Sequence, residues 1–198
     1  MFQLGRIDFA KMVDKMYQSI EQYRYAALYQ NFMSIDTSLP TDLKISTAVT
    51  ESTKDAIIEK IEAVKAATGK DVILVGARPA IQKLQSTVSY NMFSNDMKNE
   101  KYQKGILANW EGYECLALDR VNLPGTRESV FSAEDNKKIF IMPVGVEGFI
   151  YRVNEGDVIY NESGMDGMKK DMTIDAEIVY QEGIGVVISE LFGAILIQ

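Results

Sequence analysis

Apolar residues recur every three or four positions near the start of the chain and predict one long helix from about Asp8 to Met33. The stripe comprises Phe9, Met12, Val13, Met16, Ile20, Tyr23 and Ala27. Three more tyrosines, Tyr17, Tyr25 and Tyr29, lie beside it. Two interpretations stay open. In the first, the tyrosines lie at the edge of a core within the chain. In the second, the helix lies against another chain, because tyrosine is enriched at protein interfaces.

The next segments predict a helix, a buried strand and a second helix. After an irregular connector over 34–49, a helix ends at Gly69, where a left-handed glycine is expected. The apolar run Asp71–Val75 is typical of a strand covered on both faces, and Pro79 suits the first turn of the following helix. A phosphate-binding loop would show several glycines after the strand, but only Gly76 is there. The pattern therefore disfavours a nucleotide site.

From residue 89 onward the pattern changes twice. Residues 89–104 are polar with scattered apolar members, which predicts an exposed excursion that contacts a neighbouring subunit. Short strands are predicted from Trp110 onward, interrupted by a long loop over 119–137.

The clearest strand signal is the alternation from Met172 to Tyr180. Its even-numbered residues are apolar and its odd-numbered ones mostly polar, which predicts one buried and one wet face. Gly183 and Gly185 are expected to permit a bend or a bulge, and buried strands over 186–188 and 194–197 end the chain.

Composition narrows the function. The 198 residues are enough for one large domain or two interleaved small ones, and the net charge of −7 disfavours a surface that grips nucleic-acid phosphates. The chain has no histidine and a single cysteine, Cys115, which excludes histidine-based nucleophile systems and a disulfide within the chain. We expect no catalytic residue, no cofactor and no metal. Neither a signal peptide nor a membrane-spanning run is predicted.

Taken in order, these segments resemble the major capsid (coat) protein of tailed bacteriophages, which has the Hong Kong phage-type capsid fold. Residues 7–33 resemble the spine helix of that family, and 53–84 its helix–strand–helix core. Residues 110–116 resemble the strand before the loop that faces the capsomer axis, and 180–193 the closing strands. The resemblance implies an α+β fold, with a long spine helix beside long antiparallel strands.

The same resemblance implies two domains. Residues 1–50 and 146–182 would form a peripheral-type domain, and 51–145 with 183–198 an axial-type domain. Members of the family carry an N-terminal arm and an extended loop before the spine helix. This chain begins almost at that helix, so we expect it to lack both.

The function implied is that of a structural subunit, not an enzyme, that self-assembles into capsomers of an icosahedral shell around double-stranded DNA. Its location would be the virion capsid, after synthesis in the cytoplasm of a bacterial host. The implied partners are further copies of the chain, a scaffolding protein and a portal, without sequence-specific nucleic acid or membrane. A form lacking the arm and loop would be monomeric or weakly associating. The candidate interface residues are Tyr17, Tyr25, Tyr29, Phe93, Arg120, Asn122 and Arg127.

Two alternatives stay open. A bacterial nanocompartment shell, similar to the encapsulins, shares the fold but encloses cargo enzymes. An α/β enzyme or small-molecule binder could be built on the unit that contains Val72–Gly76.

The long alternating strand yields a first prediction. Ile178→Asp should unfold or aggregate the protein, because it puts a charge on the covered face. Asp175→Ser should change the free energy of unfolding by less than about 0.5 kcal/mol, because its face is wet. Thermal unfolding of both variants measures the difference, and a reversed ranking would reveal a wrong register.

Overall fold

The computed structural model describes residues 9–89, 93–123, 125–145, 150–156, 159–162, 176–187 and 192–198. It confirms a mixed helix and sheet protein. Its α-helices are α1 Phe9–Met33, α2 Lys54–Thr68, α3 Arg78–Gln85 and α4 Asn95–Lys104. Its strands are β1 Lys44–Thr47, β2 Val72–Ala77, β3 Asn109–Trp110, β4 Tyr113–Leu118, β5 Lys138–Pro143, β6 Ile150–Asn154, β7 Ile159–Glu162, β8 Ala176–Val179, β9 Glu182–Val186 and β10 Gly193–Ile197.

A six-stranded mixed sheet forms the centre, in the order β1-β10-β5-β2-β4-β3. The pairs β1–β10 and β2–β4 are parallel, and the pairs β10–β5, β5–β2 and β3–β4 are antiparallel. Strand β1 lies in the segment that the sequence predicts as irregular. Four residues are too few to show a strand pattern, so its pairing with β10 supplies what local sequence does not.

Both faces of the central strands are covered. In β5, Ile139 and Ile141 point to one face, and Phe140 and Met142 point to the other. The first face packs against α2 and α3 through Ile57, Ile61, Val64, Ile81 and Leu84. The prediction of a strand buried on both faces is therefore confirmed for β2, which extends two residues further than predicted.

Gly76, the single glycine after the predicted strand, lies inside β2. A Cβ atom there would stand 2.7 Å from the backbone oxygen of Lys138 on β5. This glycine is thus required by the close approach of two strands, and not by a phosphate.

The second face of the sheet is covered by the end of α1. Phe32 and Met33 are buried there with Phe131 and Phe192, and the rings of Phe32 and Phe140 lie 5.0 Å apart. No residue from 11 to 25 is buried. The helix is thus held in the core by its last two turns.

The predicted apolar stripe of α1 is only partly correct. Met16, Ile20 and Ala27 are half-buried, but Tyr23, predicted in the same stripe, is 58% exposed. The last turns are buried at other positions, such as Ala26 and Met33. These lie roughly a third of a turn around the helix from Met16 and Ile20. The covered face therefore shifts along the helix, because α1 also packs on strands outside the central sheet, chiefly β9.

Those strands form a long two-stranded ribbon, defined here as residues 150–156 and 159–162 paired with 176–187. The pairs β6–β9 and β7–β8 are antiparallel, and the amide of Glu155 donates to the carbonyl of Gln181 at 3.0 Å between them. Arg24 of α1 joins the ribbon through hydrogen bonds of 3.0 and 2.8 Å to the Glu182 carboxylate, and its guanidinium lies 5.4 Å from the centre of the Tyr180 ring.

The predicted alternation is confirmed in the part of the long strand that the structure describes. Ile178 and Tyr180 are half-buried, whereas Glu177 and Val179 are exposed. The covered side is only half-buried because α1 packs on one side of a two-stranded layer. Residues 172–175, including Asp175, lie outside the described residues.

Two strands pair with partners on the other side of the predicted domain borders. Strand β1 falls in the range 1–50 but pairs in the central sheet, and β9 falls mostly in the range 183–198 but pairs with β6. The division into axial and peripheral domains itself stays a prediction.

An ion cluster ties the end of α1 to the start of β5. The ammonium of Lys138 lies 2.9 Å from Oδ1 of Asp135, 3.3 Å from Oδ2 of Asp36 and 3.2 Å from the carbonyl of Met33. Burial tends to lower the pKa of Lys138, but Asp135 and Asp36 outweigh it and the pKa is raised. Burial tends to raise the pKa of Asp135, but hydrogen bonds from Lys138 and Ser132 outweigh it and the pKa is lowered.

This cluster predicts a pH dependence. Asp135 stabilises the fold above its unfolded pKa of about 3.9, and that contribution is lost as the pH falls through its lowered folded pKa. Lys138 contributes below about 10.4 and loses its contribution as the pH rises through its raised folded pKa. Asp135→Asn should cost about 1.5–3 kcal/mol at pH 7 and flatten the acid decline of Tm. Glu134→Gln, at an exposed neighbour, is the control. An unchanged acid decline in Asp135→Asn would contradict the assignment.

Candidate subunit contact surfaces

The predicted interface tyrosines of α1 differ in their exposure. Tyr17 is 50% and Tyr25 is 56% exposed, so both rings present apolar area to a possible partner. Tyr29 is half-buried, and its ring packs edge-on against Phe131 at 5.3 Å between centroids. Tyr23, which the sequence assigns to the core, joins the exposed group. Tyr17 and Tyr25 lie about 80° apart around the helix, whereas Tyr23 lies on another side of it. We define Tyr17 and Tyr25 as the tyrosine face of α1.

Phe93 is buried, so the prediction of an exposed segment is wrong at this residue. Residues 94–104 are exposed or half-buried, as predicted. The side chain of Phe93 is 4% exposed, and the Lys101 ammonium lies 4.9 Å from the ring centre. The ring lines a shallow surface depression with Trp110 and other apolar side chains. Phe93 is thus covered mainly by its own chain, because a helix packs over it.

That helix, α4, has capping signals at both ends that the sequence analysis did not use. The hydroxyl of Ser94 accepts a hydrogen bond from the amide of Met97 at 3.2 Å, and Gly105 adopts a left-handed φ of 75° at the other end. Serine followed eleven residues later by glycine, with lysines in the last turn, is the pattern of a capped helix.

The loop after β4 brings the other three predicted residues together. Arg120 donates from Nε to Oδ1 of Asn122 and from Nη2 to the carbonyl of Arg127, both at 3.1 Å. The loop is a hairpin, since the amide of Val130 donates to the carbonyl of Val121 at 2.8 Å. All three predicted residues are exposed, so they form one polar surface held in shape by Arg120.

The base of this hairpin is anchored to two helices. Arg78, at the start of α3, donates to Asp119 at 2.7 Å and to the carbonyl of Lys104, the last residue of α4, at 2.9 Å. The loop therefore has a defined direction from the central sheet.

A surface that the sequence analysis missed is the outer face of the ribbon. Exposed apolar side chains lie along it: Tyr151, Val153, Ile159, Val179 and Val187. Gly183 and Gly185 lie on the same face, in regular pairing with Val153 and Tyr151, without a positive φ. The expected bend or bulge at these glycines is wrong. The strand alternation, extended past Tyr180, is the signal that could have identified this face.

The described residues offer little reaction chemistry. Among them, no group of three or more histidine, cysteine, aspartate and glutamate side chains could hold a metal ion. Burial raises the pKa of the Cys115 thiol to about 11, so the protonated form prevails at neutral pH. Within the described ranges, every helix is too short or too polar to cross a membrane.

Comparison with solved structures places the fold among phage capsid proteins. A chain of the asymmetric unit of the bacteriophage PhiM1 mature capsid matches 97% of this chain with a TM-score of 0.58 and 11% identity. The match spans 65% of the PhiM1 chain, so this chain corresponds to less than two thirds of that protein.

The sequence itself gives the family. The profile described as "SPbeta prophage-derived putative capsid protein YonB" matches residues 2–196, and this chain belongs to that family. No curated protein matches. Family and fold together confirm the predicted phage capsid class and support a structural subunit of a viral shell.

The hairpin geometry predicts the effect of removing the Arg120 side chain. Arg120→Ala should speed amide hydrogen exchange at Leu123 and Val130, because the guanidinium no longer bridges the two arms. The free energy of unfolding should change by less than about 0.5 kcal/mol, since the residue is exposed. Arg127→Ala is the control, because Arg127 accepts through its backbone carbonyl, which alanine keeps. Equal exchange in both variants would contradict the bridging role.

Proposed function

We propose that this chain is the building block of a viral capsid, in which many copies assemble into capsomers of an icosahedral shell around double-stranded DNA. The observation that carries the proposal is the family match over residues 2–196, joined to a fold match over 97% of the chain with a protein from a mature capsid. We further propose that its role is structural and not enzymatic.

We propose, with the two-domain division, a specific arrangement in the shell. The central sheet with α2, α3 and α4 would form the axial-type domain, and the first half of α1 with the ribbon the peripheral-type domain. Strand β1 would belong with the sheet in which it pairs. The anchored hairpin that carries Arg120, Asn122 and Arg127 would point toward the capsomer axis. The tyrosine face of α1 would meet a neighbouring subunit.

Charge sets how the shell would meet its contents. A net charge of −7 disfavours binding of DNA chiefly by phosphate neutralisation, which needs clustered lysine and arginine. Enclosure without base contacts is consistent with this balance. We therefore propose no sequence-specific contact with DNA. A virion location, synthesis in the host cytoplasm, and a scaffolding protein and portal as partners belong to the same proposal.

Each contact surface described is small, and we infer weak association between isolated chains. The assembly experiment therefore uses two preparations, the purified chain over a wide concentration range and the chain co-produced with the products of its neighbouring genes. Electron microscopy and light scattering should detect capsomers or shells, and nuclease protection should detect enclosed DNA. Particles that hold a protein cargo instead would favour the nanocompartment alternative. Small discrete species under every condition would overturn the proposal.

The tyrosine face predicts a loss of assembly without a loss of folding. Tyr17→Ser combined with Tyr25→Ser should lower particle yield at least tenfold. Tyrosine is enriched at interfaces, and a tyrosine that a partner covers fully can contribute a large share of the binding energy. Tm should change little, since both rings are at least half exposed. Tyr102→Ser on α4, where the ring is 92% exposed, is the matched control and should assemble normally. Equal yields from both variants would contradict the role of this face.

A further inference from the structure

The outer face of the ribbon has a composition that the described part of the chain does not explain. Residues 177–187 alternate without exception between exposed odd positions and half-buried even positions. The odd positions include Gly183 and Gly185, which pair across the ribbon with Val153 and Tyr151. Two glycines in succession on one face leave a strip of bare backbone beside a ridge of apolar side chains.

Glycine weakens a strand, so its presence here asks for a reason. Neither glycine has a positive φ, so the backbone would accept any L residue. A Cβ atom built on either glycine would meet nothing within 4 Å. Gly76 and Gly193 differ in this respect, since a Cβ there would meet neighbouring atoms at 2.7 and 2.8 Å. Neither the backbone conformation nor packing by the residues that the structure describes therefore accounts for Gly183 and Gly185.

Cross-strand covering of the glycines is also excluded. An aromatic ring can lie over a glycine on the neighbouring strand and compensate for its missing side chain. The ring of Tyr151 does not do so, because it is 51% exposed and the space above Gly185 is open. Among the described residues, no side chain covers the strip.

The charge pattern of this face restricts what could cover it. Among the exposed odd positions from 177 to 187, Glu177 alone is charged, and Tyr151 and Val153 opposite carry no charge, although a quarter of the whole chain is charged. A nucleic acid would need cations here. Two copies of a chain with a net charge of −7 repel each other, so an uncharged apolar strip is the kind of surface on which they can meet.

We propose that the outer face of the ribbon binds a second copy of this chain, and that Gly183 and Gly185 let the backbone of that copy approach closely. A glycine within a strand often marks such an approach. The inference rests on the proposed capsid function and adds the surface through which subunits meet.

The size of the face agrees with a repeated contact between subunits. Five large apolar side chains are exposed along it, and contiguous exposed apolar patches often mark a binding site. A stable pair of proteins needs about 800 Å² on each partner. Five side chains are fewer than the roughly 20–30 residues that such an interface uses on each side. Weak contacts nevertheless add when many identical copies engage together.

The test places side chains on the two glycines of the strip. The double variant Gly183→Val and Gly185→Val should leave Tm unchanged or raise it, because the space is open and valine favours strands. Particle yield should fall at least tenfold relative to the wild type. Ser46→Val, which adds valine at an exposed position of β1 in the other sheet, is the control and should assemble normally.

Amide hydrogen exchange of the ribbon gives a second readout that does not need complete shells. In the wild type, protection over 150–156 and 176–187 should rise with protein concentration, and in the double variant it should not. This rise without any shell would overturn the proposed function but support the ribbon contact.

Four outcomes would overturn the ribbon contact. They are normal assembly of the double variant, a marked fall in its Tm, exchange that is independent of concentration in the wild type, and protection that arises only when a different protein is added.

Discussion

The central strands of the six-stranded sheet are apolar on both faces, and the rest of the structure follows from the need to cover them. Helices α2 and α3 come from neighbouring segments and cover one face. The other face is covered by the last turns of α1, with Phe131 and Phe192. Because apolar burial is the main force for folding, this second cover fixes the end of the long helix to the sheet. Lys138, held between Asp36 and Asp135, fixes it again through charge.

The helix α1 is anchored to the sheet by its last turns, and before them Arg24 joins the helix to the ribbon. A two-stranded ribbon is marginal in water without a packed face. Here one face packs on the helix, with Arg24 joining Glu182, and the other face stays open. The layer is therefore thin, and many of its apolar side chains stay half-buried or exposed. Such a layer suits contacts with neighbours better than it suits a reaction centre, which needs an enclosed site.

Prediction succeeded where local sequence and tertiary packing agree. The period of α1, the glycine that ends α2 and the apolar run of β2 each carry their own signal, and each is found within two residues of its expected bounds. It failed for Tyr23 and Phe93. A regular helical stripe cannot show that the partner of α1 changes along its length. Nor can a polar segment show that a weakly amphipathic helix will cover Phe93.

The sequence alone determined the element types, the absence of histidine chemistry and, through its order of segments, the resemblance to phage capsid proteins. Only the tertiary structure decided which surfaces stay open. Arg120, Asn122 and Arg127 are separated along the chain, and the hairpin brings them together. The sequence predicts a bend or bulge at Gly183 and Gly185, yet both residues pair regularly with β6 and belong to one face of the ribbon. The exposure of a side chain depends on which distant segments of the chain pack against it, and a local sequence pattern does not contain that information.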